Sequence, residues 1–96
     1  MAERGKARYA FLSSGSNNVI ATRPITLYSV HGTGGVVRID DAHRFPQGVL
    51  DLNASSSNTV GHFTPPTVFA EGLGLDTGLV AAFATASNSG ITIEWE

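Results

Sequence analysis

The chain contains no cysteine among its 96 residues. That excludes a disulfide framework, a thiolate metal site and a cysteine nucleophile, and it fits a reducing compartment. Lysine and glutamine each occur once, as Lys6 and Gln47, while glycine, serine, threonine, asparagine and valine are plentiful. Strong helix formers are thus scarce, and no segment carries helical periodicity between caps. Long apolar runs are missing too. The longest, Gly78-Leu79-Val80-Ala81-Ala82-Phe83-Ala84, falls far short of the roughly 20 residues that a membrane helix needs. No apolar h-region follows the charged start Met1-Ala2-Glu3-Arg4-Gly5-Lys6, so the sequence predicts no signal peptide.

Positive charge is absent from the second half. All six basic residues (Arg4, Lys6, Arg8, Arg23, Arg38 and Arg44) precede residue 45, and only acidic charges follow. Half of the basic residues crowd into residues 1–8, which read as an N-terminal arm. Such an arm is either a solvated terminus or a contact for an acidic neighbour. No basic stripe interleaved with aromatics follows it, so nucleic acid is not an expected partner.

What is present is punctuation. Turn residues recur every eight to twelve positions with short apolar runs between them, the pattern of an all-β sandwich or barrel. At this length the strands make one domain, 9–96, behind the arm. The expected fold is a single antiparallel β-sandwich of about eight strands. Its last strand is the clearest: Ile91, Ile93 and Trp95 alternate with Thr92, Glu94 and Glu96, placing the first set in the core and the second in solvent. Runs 8–13 and 18–22 flank Ser14-Gly15-Ser16-Asn17, a plausible hairpin loop. Ile25 to His31 is apolar on both faces around Tyr28, which suggests a central strand whose second side a neighbouring copy covers. Residues 53–58 read as an exposed, mobile loop, and Pro65-Pro66 as an edge or crossover.

Candidate chemistry is sparse. Gly32-Thr33-Gly34-Gly35 leads into a β-run rather than a helix N-terminus, so it reads as a hairpin turn and not a phosphate cradle. Asp40-Asp41-Ala42-His43 superficially resembles metal ligands, yet no E-x-x-H or H-x-H spacing aims it, and aspartates commonly close turns. His31 and His62 read as strand residues. None of the serines stands in a G-x-S-x-G elbow. A glycosidase pair could be drawn from Asp51, Glu71 and Asp76, but nothing singles out two of them. For sugar stacking, Phe45 and Tyr28 are the expected exposed aromatics, too few to lead. No catalytic, cofactor or metal residue is assigned, and the chain is expected not to be an enzyme.

Four segments carry a resemblance: Ile25-Thr26-Leu27-Tyr28-Ser29-Val30; Val37-Arg38-Ile39-Asp40-Asp41 with Gly48-Val49-Leu50; Phe69 to Thr77; and Gly90-Ile91-Thr92-Ile93-Glu94-Trp95. Over about three quarters of the chain they resemble small jelly-roll-like β-sandwich virion proteins of tailed bacteriophages, of the capsid decoration or cement type. The chain departs from that group at Thr26, where arginine is frequent, and in the arm. The resemblance implies a structural homo-oligomer, with a trimer favoured, made in the host cytoplasm and seated on the capsid surface against the major capsid protein. A head- or tail-fibre module binding a host receptor or glycan is the alternative. The expected capsid or inter-subunit contacts are Arg4, Lys6, Arg8 and Tyr28.

Overall fold

The computed structural model describes residues 7–12, 18–33, 35–52, 58–83 and 90–96. Ten strands follow one another: β1 (Arg8–Leu12), β2 (Asn18–Ala21), β3 (Ile25–Thr33), β4 (Val37–Asp41), β5 (His43–Arg44), β6 (Leu50–Asp51), β7 (Thr59–Phe63), β8 (Thr67–Leu75), β9 (Leu79–Phe83) and β10 (Gly90–Trp95). Eight form two four-stranded antiparallel sheets, ordered β1-β10-β3-β8 (sheet A) and β2-β9-β4-β7 (sheet B). The short pair β5-β6 is an insertion between β4 and β7. No α-helix occurs among the described residues.

The strand order has a simple origin. β1 pairs with β10, β2 with β9, β3 with β8 and β4 with β7, which are the rungs of one long antiparallel ribbon doubled back on itself. Wrapping this ribbon places β10 beside β3 and β9 beside β4, which completes both sheets. The result is a jelly-roll sandwich. Two expected hairpins disappear as a consequence. β1 and β2 lie in different sheets, as do β3 and β4, so the segments after β1 and β3 cross between layers. Adjacency in sequence suggested hairpins, but neither layer can bury its apolar face until the chain changes sheets. Residues 13–17 and Gly34 themselves lie outside the described residues, as do residues 53–57 of the expected mobile loop. Pro65-Pro66 does mark a crossover, from β7 in sheet B to β8 in sheet A. β1 begins at Arg8, the last residue expected in the arm.

The core forms between the sheets. Leu12, Ile25, Leu27, Val30, Leu75, Ile91, Ile93 and Trp95 of sheet A face Ala21, Val37, Ile39, Leu79 and Ala81 of sheet B. Period-two alternation explains most of this: Val37 and Ile39 point inward while Arg38 and Asp40 do not, and Ile91, Ile93 and Trp95 behave likewise. Phe63 and Phe69 meet edge to face at 5.1 Å and extend the core toward the far edges.

One carboxylate ties the connection from β8 to β9 onto the body. Asp41, at the end of β4, accepts backbone N–H bonds from Asp76 (2.9 Å), Thr77 (2.9 Å) and Gly78 (3.1 Å). The next residue, Ala42, donates its N–H to the Gly78 carbonyl at 2.9 Å. Glycine is required at 78, because an added Cβ would meet the Ala21 carbonyl oxygen at 2.5 Å. Asp41→Ala is therefore expected to lower the unfolding free energy by about 1–3 kcal/mol in urea titrations, since charge-assisted bonds are the strong ones. Stability equal to wild type would remove this role.

Candidate functional site

The outer face of sheet A holds the most unusual surface. Side chains that point away from the core line up in rows across the strands. One row runs Phe11, Thr92, His31, and the next runs Tyr9, Glu94, Ser29, Val68. A register shift between Leu27 and Ser29 leaves two residues, Tyr28 and Ser29, between the core positions Leu27 and Val30. Tyr28 and Ser29 thus lie outside the core cluster that holds both of those neighbours, a bulge that period-two reading of β3 could not anticipate.

Three polar side chains in the middle of this face, Glu94, Ser29 and Tyr28, are buried and engaged within the chain. Glu94 is only 8% exposed. Its Oε1 accepts from the Ser29 hydroxyl at 3.1 Å, and its Oε2 from the Tyr9 hydroxyl at 3.5 Å. The Tyr28 hydroxyl donates to Glu96 Oε1 at 2.8 Å. Two expectations are corrected here. Glu94 alternates correctly but does not reach solvent, because Ser29 and Tyr9 stand directly opposite it on the flanking strands. Tyr28 is not an exposed aromatic: it is 5% exposed, already covered within one chain.

The rim of the face is different. Tyr9 and Phe11 on β1 are each 69% exposed, and Val68 on β8 is exposed as well. Tyr9 and Phe11 sit two residues apart on one strand face, so they form a continuous aromatic strip on the edge of sheet A. The sequence shows their alternation with Ala10 and Leu12 but cannot say which set turns inward. By side-chain size alone the aromatics would be buried.

At the end of the sandwich where β1 starts, Arg8, Arg23 and Trp95 line a shallow groove of about 390 Å³ with residues 19–22. Both guanidinium carbons lie over the indole, at 5.7 Å for Arg8 and 5.5 Å for Arg23. Arg23 also donates to the backbone oxygens of Pro24 and Glu96. The indole nitrogen of Trp95 is buried without a hydrogen-bond partner in the structure. Of the expected contact residues, Arg4 and Lys6 lie outside the described residues, Arg8 is exposed beside Trp95, and Tyr28 belongs to the buried centre of sheet A.

Asp40, Asp41, His43 and Asp51, among the residues that could have suggested catalysis, each have a partner within the chain. Arg38 grips both carboxylate oxygens of Asp40 at 3.1 Å, two positions along the same strand. Asp41 holds the turn at 76–78. His43 lies 3.9 Å from Asp51 across the β5-β6 pair and edge-on to Phe45. Among the described residues no three histidine or acidic side chains gather as metal ligands would. Comparison with protein-family models, with curated proteins and with solved structures finds no match to this chain.

The buried carboxylate makes a measurable prediction. Ser29→Ala deprives Glu94 of a donor inside a dry environment and is expected to cost about 1–3 kcal/mol in thermal or urea unfolding. Ser29→Thr, which keeps the hydroxyl, is expected to cost less. If the two variants are equally stable, the hydroxyl is not what matters.

Proposed function

We propose that the chain is a non-catalytic assembly module, and that it serves as a phage capsid decoration protein built from many copies. The observation that carries the assembly reading is the surface of sheet A. Its buried polar groups Ser29, Tyr28 and Glu94 are engaged inside the chain, and beside the exposed His31 it offers outward three large side chains, Tyr9, Phe11 and Val68. Contiguous exposed aromatics on a monomer mark an interaction surface, and aromatics are enriched at protein interfaces. The capsid assignment follows the resemblance of the strands at 25–30, 37–41 and 90–95 to small virion sandwiches. On this reading the major capsid protein is the partner, and residues 1–6, preceding β1, are the basic arm that touches it.

Mass spectrometry of purified phage particles is expected to find the chain in a simple ratio to the major capsid protein. Its absence from particles would overturn the capsid reading. Deleting residues 1–6, which leaves β1 intact, is expected to lower occupancy on the shell. Unchanged occupancy would remove the arm from the contact.

One observation favours a fibre module that stacks on a host glycan. Phe45 is partly exposed at the β5-β6 turn, which is held by Phe45 N–H to Val49 O at 2.9 Å and by Arg44 to Gly48 O at 2.8 Å. A glycan array on which wild type binds and Phe45→Ala does not would favour this reading over decoration.

A further inference from the structure

Among the described residues the two sheets have four edge strands, and these are not equally protected. Edges are ordinarily blunted by bulges, prolines, charge or shortness, because an unpaired row of N–H and C=O groups invites another strand. The pairing of β2 with β9 shifts between Val19 and Ala21, and β2 has only four residues. The pairing of β7 with β4 shifts between Ile39 and Asp40. The pairing of β8 with β3 shifts between Leu27 and Ser29, and Gly72 within β8 has a φ of 81°. β1 alone runs through five residues against β10 in unbroken register, without proline or bulge and with a single charge, Arg8, at its first position. It also carries the two exposed aromatics.

We propose that β1 pairs with β1 of a second copy, antiparallel about a two-fold axis through Ala10, joining two A sheets into one eight-stranded sheet. This rests on the assembly reading and names the partner at that surface. The strand's own pattern argues for a second copy rather than a foreign strand. A two-fold axis perpendicular to the sheet keeps outward residues opposite outward residues, so only registers centred on residues 9, 10 or 11 retain three or more residues of β1. The register centred on Ala10 is the one that uses all five. It sets Tyr9 opposite Phe11 of the partner copy twice over, a favourable aromatic cross-strand pair on each side of the axis. It also places Arg8, the strand's single charge, opposite Leu12 rather than opposite its own symmetry mate. The contact is isologous and closed, so it leaves neither β1 edge exposed. The stoichiometry it generates is two, in contrast to the trimer implied by the resemblance.

The test uses the full chain in sedimentation velocity with multi-angle light scattering. The expected mass is twice the 10.0 kDa chain, falling to a single chain in Phe11→Lys while the circular dichroism of the fold is kept. Because the chain has no cysteine, the register is read by cross-linking. Mixed Tyr9→Cys and Phe11→Cys chains are expected to form the heterodisulfide, and neither variant alone is expected to form a homodisulfide. A wild-type chain that stays monomeric at every concentration overturns the pairing. So does an oligomer that Phe11→Lys leaves intact, but that result leaves the assembly reading standing.

Discussion

A two-stranded β-ribbon cannot bury a face by itself, and every other feature of this molecule follows from how its ribbon solves that problem. The rungs β1-β10, β2-β9, β3-β8 and β4-β7 supply the backbone bonds, but each rung leaves one apolar side uncovered. Wrapping the ribbon so that β10 lies against β3, and β9 against β4, gathers Ile91, Ile93, Val37, Ile39 and Leu79 into one core. The first and last strands become neighbours, with Arg8 opposite Trp95. The closure therefore joins the ends of the described chain, and the core exists only once that long-range pairing is made.

The polar residues that draw attention in the sequence serve this closure. Asp41 gathers three N–H groups of the connection into β9, Arg38 neutralises Asp40 on sheet B, and Ser29 meets Glu94 on sheet A. Buried or half-buried carboxylates are tolerable only when hydrogen-bonded or paired, and these are. The exposed capacity among the described residues lies elsewhere, in the aromatic strip of β1 at an edge of sheet A. The contrast between three interrupted edges and one regular edge gives that strip a direction as well as a composition.

Several elements were legible from residue order. The register of β10, the central position of β3, the crossover at Pro65-Pro66 and the burial of Trp95 all follow from alternation, apolarity on both faces and proline chemistry. The surface was much less legible. Tyr28 looked available to a neighbour because both faces of its strand are apolar, yet Glu96 from β10's end takes its hydroxyl and the bulge folds it into the sheet. Nothing local distinguishes Tyr9 and Phe11 from the inward set of their strand.

The sequence by itself determined that the chain would be β, where most of its strands would fall, and, away from the β3 bulge, which residues would share a face. Those properties are local: the pleat has a period of two, and turn residues act on their own backbone. Only the tertiary structure decided which strands pair, which face of β1 turns outward and which edge stays open. Strand pairing joins residues as distant as Arg8 and Trp95, and its outcome depends on the shape of the whole sandwich rather than on any window of sequence. The all-β character with which the residues announce themselves is thus a local property, while the exposed β1 edge is a property of closure.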